Sequence, residues 1–144
     1  MKKVFSLFIL VAILSSCVEM KEEQEVIKEP AKDGVFVHIT HGPADAHRVL
    51  MGLMMANKMS ETQDVIVYFD IEGIEVVLKD APDIEYSHFP SSQAQLKQLM
   101  DKGIDIMACP GCLKAAGKTP EDIMDGIIVA DKDKFFNFTD GRIL

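Results

Sequence analysis

From Gly34 onward the chain alternates short apolar runs with longer amphipathic segments. "VFVHIT", Val35 to Thr40, is β-branched and aromatic and predicts a strand. Gly42-Pro43 marks a turn, and Pro43 or Ala44 opens a helix on which Val49, Leu50, Leu53, Met54 and Met59 recur at helical spacing. "DVIVYFD", Asp64 to Asp70, is apolar throughout and reads as a strand buried on both faces. "IEGIEVVLKDA" fits either a helix or a strand, and the alternation around it favours a helix. "PSSQAQLKQLMDKG" has a Ser cap and a stop at Gly103, so it predicts a helix. "IDIMA", Ile104 to Ala108, and "IIVA" predict two more strands. "TPEDIMDG" carries a helix start behind Thr119, and "DKDKFFNFT" predicts a short last helix. This order implies an α/β fold with a mostly parallel sheet and helices on both faces.

The first residues break this pattern. "MKKVFSLFILVAILSSC" has Lys2 and Lys3 before an apolar run from Val4 to Leu14, too short to span a bilayer comfortably. The run fits the core of a secretory signal. It ends in "LSSC", which resembles a bacterial lipobox, where the signal is cut before the cysteine and that cysteine is acylated. Residues 1–16 are therefore expected to be a lipoprotein signal peptide. Residues 17–33 would be the lipidated Cys17 and a charged flexible tether, and residues 34–144 one folded domain. The expected location is a bacterial cell envelope, on a membrane through a lipid anchor, facing the periplasm or cell surface.

Composition adds little beyond one exclusion. The formal net charge of -8 argues against nucleic acid as a partner.

Chemistry concentrates in "MACPGCLKAAG", Met107 to Gly117. With Cys17 assigned to lipid, Cys109 and Cys112 remain. Cys109 ends an apolar strand and precedes a helix, where free N–H groups stabilise a thiolate. Cys112 lies one turn on and can resolve an adduct on it by exchange. Cys109 is thus the expected nucleophile and Cys112 the resolving thiol. A metal is not expected, because zinc wants four ligands and only one CxxC is present. No cofactor is expected either. Dithiol redox chemistry stays open, as do two inert buried cysteines in an oligomeric module that binds a small ligand. In a parallel sheet, His41 and Asp70 would reach the same edge as Cys109, so both are candidate pocket residues. The alternatives are that His41 caps its turn and Asp70 a helix. His47 is read as an exposed helical residue and His38 as a structural one.

Three stretches together, "VFVHITHGPADAHRVLMGLMMA", "DVIVYFDIEGIEVVLKDA" and "GIDIMACPGCLKAAGKTPEDI", resemble the DsrE/DsrF-like family of sulfur-relay proteins over most of residues 34–144. Members place a reactive cysteine after a central strand, followed eight residues on by a glycine near a helix end. Cys109 and Gly117 match that spacing, and Cys112 matches a second cysteine found in several subgroups. The basic residue that many members carry just before the glycine is replaced here by Ala116. The resemblance implies a three-layer α/β sandwich with four or five strands, a homo-oligomer (trimer or hexamer), and a cysteine that holds sulfur as a persulfide. It also implies thiol or persulfide donors and acceptors as partners, with sulfur carriage or sulfurtransferase activity as the function.

Overall fold

The computed structural model describes residues 33–142. The expected signal peptide, the acylated Cys17 and the tether up to Lys32 lie outside the described residues. Four strands form one sheet in the order β1-β2-β3-β4, all parallel. They are β1 (Gly34–Ile39), β2 (Asp64–Phe69), β3 (Asp105–Ala108) and β4 (Ile128–Val129). Each strand lies beside the next in sequence. Right-handed crossovers then put the intervening helices on a common face. The intervening helices are α1 (Ala46–Met59), α2 (Ser92–Asp101) and α3 (Pro110–Ala115), and a last helix, α4 (Lys132–Thr139), follows β4.

The strand period of two divides the sheet's residues between its faces. Val67, Phe69, Ile106 and Ala108 are buried in a core with Val49, Leu50 and Leu53 of α1 and Leu96 and Leu99 of α2. Gly52 lets α1 lie close to β1, since a Cβ there would stand 3.2 Å from Ile39. Two buried amides tie the helices together: Asn57 donates to the Gln95 carbonyl at 3.0 Å, and Gln95 donates to that of Leu50 at 3.3 Å. The opposite face carries Phe36, His38, Ile66, Tyr68 and Met107. The Phe135 ring of α4 packs there, 5.5 Å from Phe36 and 5.3 Å from Tyr68. Helices thus flank both faces, giving the expected layers with four strands.

The element ends follow local chemistry. Ser91 caps α2 by accepting from the Ala94 N–H, and Asp131 caps α4 by accepting from Lys134. Helix α3 closes on Gly117, whose φ of +70° places it in the left-handed region. There the Gly117 N–H reaches the Lys114 carbonyl and the Lys118 N–H that of Leu113, both at 3.0 Å. "IEGIEVV" forms a 3₁₀ helix, Ile71–Val77, rather than a full α-helix. Its backbone runs hard against β1, for a Cβ on Gly73 would stand 2.2 Å from the Ile39 carbonyl oxygen. After it, Leu78 makes a single antiparallel bridge with Ile123. Among the described residues no helix is long and apolar enough to cross a membrane.

Candidate functional site

The loops after β1, β2 and β3 emerge at one edge of the parallel sheet. Cys109 is the first residue past β3, and its N–H donates to the Phe69 carbonyl of β2 at 2.8 Å. The thiol is therefore fixed by the ladder just before the chain turns into α3. Pro110 occupies the first turn of that helix, where its missing N–H leaves no bond unmade. Cys109 acts as the N-cap: its Sγ accepts from the Cys112 N–H at 3.4 Å. Both thiols are free and partly exposed. A Cβ on Gly111 would stand 3.8 Å from Sγ, an ordinary contact, so this glycine is not required by packing but leaves one side of the thiol open.

The two thiols have different electrostatics. Burial pushes the Cys109 thiol up, but hydrogen bonds from the Tyr68 hydroxyl, the Cys112 N–H and thiol, and the Gly111 N–H outweigh it and hold Cys109 below the ordinary thiol range. At Cys112 a hydrogen bond from the Ile71 N–H pulls down. Burial, the contact with Cys109 and the negative charges of Cys109 and Asp70 together prevail and push Cys112 up. Of the two, Cys109 is thus the thiol that ionises first as pH rises, and Cys112 the one that keeps its proton longer.

Asp70 lies at the end of β2. Its Oδ2 is 2.8 Å from His38 Nε2, and its Oδ1 is buried with no hydrogen-bond partner. Although it stands at the N-terminus of the 3₁₀ helix, its side chain makes no capping bond. Next to it Ile71 has a φ of +49°, uncommon for a β-branched residue. The turn between β2 and the 3₁₀ helix therefore holds backbone strain.

Of the residues expected at this site, Cys109 and Cys112 meet, and Asp70 lies near enough for its charge to act on Cys112. His41 faces elsewhere: its hydrogen bonds go to Thr40 at 3.0 Å and Arg48 at 2.7 Å, in a cleft of about 260 Å³ that also touches His38. His47 stacks on Tyr86 at 4.9 Å. His38, read from sequence as structural, makes the contact with Asp70. Tyr68 carries no motif that marks it in the sequence. Its signal lay in the strand period, which sets it opposite Val67 and Phe69, and in the register, which pairs it with Met107, two residues before Cys109. Among the described residues no group of three or more His, Cys, Asp or Glu is placed to hold a metal.

The chain matches the DsrE/DsrF-like family over residues 33–140. No curated protein sequence matches it. Its fold is similar to that of the YchN protein of E. coli, with a TM-score of 0.58 at 14% identity, covering 76% of this chain and 92% of that one. It is also similar to MTH1491 of Methanobacterium thermoautotrophicum, a protein of unknown function, with a TM-score of 0.56 at 22% identity over 78% and 96% of the two chains. The chain belongs to the DsrE/DsrF-like family, generally related to sulfur relay.

Proposed function

We propose that this domain carries sulfane sulfur as a persulfide on Cys109, with Cys112 as the resolving thiol. The observation that carries this reading is the unequal thiol pair at the end of β3, where Cys109 Sγ accepts from the backbone N–H of Cys112. Family membership supports it.

The chemistry needs no metal or cofactor. The Cys109 thiolate attacks the outer sulfur of a persulfide donor, R–S–SH. The donor's S–S bond breaks, RS⁻ leaves, and the outer sulfur stays with its proton as Cys109–S–SH. An acceptor thiolate then repeats the exchange and frees Cys109. If no acceptor arrives, the Cys112 thiolate attacks Cys109 Sγ. This forms the Cys109–Cys112 disulfide and expels HS⁻; the two cysteines are oxidised and the sulfane sulfur is reduced. Keeping Cys112 protonated slows this second route, so the loaded form persists long enough to meet an acceptor.

The N-terminal sequence supports a lipid anchor at Cys17, with the domain held on a bacterial envelope membrane. A homo-oligomer, trimer or hexamer, is part of the same reading. It is supported by the exposed Met51 and Met55 on α1, which line an apolar cleft of about 300 Å³ with His47, Arg48 and Gly52.

A second reading, dithiol/disulfide exchange outside the cytosol, is favoured by the closeness of the two cysteines, with the Cys112 N–H donating to the Cys109 sulfur at 3.4 Å. Sulfur uptake separates the two. A sulfur-loaded Cys109 after exposure to polysulfide supports carriage, whereas conversion to the disulfide without sulfur gain supports redox exchange.

A further inference from the structure

We propose that the cleft at the end of β1 is a binding site for a small tetrahedral oxyanion of sulfur or phosphorus, held by Arg48 and Thr40 with His41 bridging them. It goes beyond the thiol pair and does not rest on the persulfide reading.

The cleft is built from the end of one strand and the helix that follows it. His38 comes from β1, Thr40 and His41 from the turn after it, and Arg48 from α1. Its volume is about 260 Å³, and no carboxylate among the described residues lines it. Pockets for drug-sized ligands start at about 300 Å³, so the occupant is a small one. The cleft lies at the carboxyl edge of the parallel sheet, where ligands of such sheets gather.

Donor chemistry fixes the direction of each hydrogen bond. Arg48 Nη1 is 2.7 Å from His41 Nε2, and a guanidinium only donates. His41 Nε2 is therefore the acceptor, and the ring hydrogen sits on Nδ1. That nitrogen is 3.0 Å from Thr40 Oγ1, which accepts from it. The Thr40 hydroxyl hydrogen is left to donate to an occupant of the cleft. Bonds in such a chain polarise one another, so the charge of Arg48 strengthens this last donor.

Arg48 also keeps donors beyond the one given to His41. Its other partner is Asp45 at 3.2 Å, an exposed pair of small worth that an anion can replace. The remaining acids nearby are otherwise placed. Asp70 is engaged by His38 Nε2 at 2.8 Å, and Glu75 lies against Gly42, outside the lining. Arg48 approaches from α1 and Thr40 from the end of β1. Separate oxygens of a tetrahedral anion can serve both, and charge-assisted bonds of this kind are the strong ones. The formal net charge of -8 repels anions at large, so specific binding has to come from such local donors.

The test is isothermal titration calorimetry of the full chain with sulfate, thiosulfate and phosphate in turn, at an ionic strength held constant with chloride. Wild type should bind at least one of them saturably. Arg48→Gln should weaken that binding about tenfold or more, and Thr40→Val about three- to tenfold. Lys97→Gln, in a different cleft, should match wild type. Preference for thiosulfate would point to a sulfur compound, preference for phosphate to a phosphoryl compound, and equal binding to a general oxyanion site; each supports the proposal. Absence of saturable binding for all three overturns it, as does binding that Arg48→Gln leaves unchanged. Should Arg48→Gln not fold, imidazole nitrogen spectra of wild type decide. The bound anion should shift the His41 signals and leave those of His88 in place, and unmoved His41 signals overturn the proposal. Sulfur loading of Cys109 is read separately. Anion binding without loading would sink the carrier reading and leave this site standing, and loading without anion binding would do the reverse.

Discussion

Asp70 reaches across from the end of β2 to His38 on the neighbouring strand, 2.8 Å from Oδ2 to Nε2, while its other oxygen is buried without a hydrogen bond. The carboxylate thus presents negative charge to the thiol pair from a fixed position. It is one of the groups that push Cys112 up, after the opposing Ile71 N–H, burial and Cys109 itself. Asp70→Asn should let Cys112 ionise at lower pH and alkylate about two- to fivefold faster near neutrality. The His38 contact is partly exposed, so its loss should cost no more than about 1 kcal/mol in urea unfolding. Unchanged Cys112 labelling would show that the Asp70 charge does not reach it.

The thiols also link stability to pH. Cys109 ionises below the ordinary thiol value of 9.0 in the folded protein, so folding favours its thiolate. Its contribution to stability is present above the unfolded value and is lost as pH falls through the folded value. Cys112 is raised, so its contribution has the opposite sign and is lost as pH climbs from the unfolded value through the folded one. Thermal unfolding across mildly acidic to alkaline pH should therefore show Cys109→Ser with a smaller gain in Tm on entering the alkaline range than wild type. Cys112→Ser should instead lose less at the alkaline end. Parallel curves for all three proteins would contradict the pair's electrostatics.

Gly73 and Gly117 test how the backbone holds the site. A Cβ on Gly73 would collide with the Ile39 carbonyl at 2.2 Å, and the 3₁₀ helix that bears Ile71 would have to move. Gly73→Ala should destabilise by about 3 kcal/mol and disturb Cys112 labelling. At Gly117 a Cβ meets nothing within 4 Å, so only the left-handed backbone resists it. Gly117→Ala should cost about 1 kcal/mol and leave both thiols as they are. Chemical unfolding with parallel alkylation reads both variants.

If Cys17 is acylated, Cys17→Ser should move the protein from the membrane to the soluble fraction of fractionated cells, without altering alkylation of Cys109. A variant that stays on the membrane would remove the lipid anchor from the account.

The strands and their parallel arrangement were legible because parallel, doubly buried strands leave unbroken apolar runs, as "DVIVYFD" does. Cys109 was legible for a related reason: a cysteine directly after such a run must emerge at the sheet edge. Tyr68 was hidden by the same run, where one aromatic among apolar neighbours reads as packing. Only the pairing of β2 with β3 reveals that it lies opposite Met107, two residues before Cys109. His38 was hidden likewise, since its partner Asp70 is set by the β1–β2 register and not by spacing along the chain. The ambiguity of "IEGIEVVLKDA" has a physical source too. Gly73 presses the segment onto Ile39, and the close approach admits a 3₁₀ helix but hides any clean periodicity.

The most direct measurement is the intact mass of the full chain after brief exposure to polysulfide, with wild type, Cys109→Ser and Cys112→Ser compared. The account predicts that wild type gains one sulfur that a thiol acceptor removes, that Cys112→Ser holds that sulfur longer, and that Cys109→Ser gains none. Equal sulfur uptake by Cys109→Ser and wild type, or none by any of the three, would contradict it.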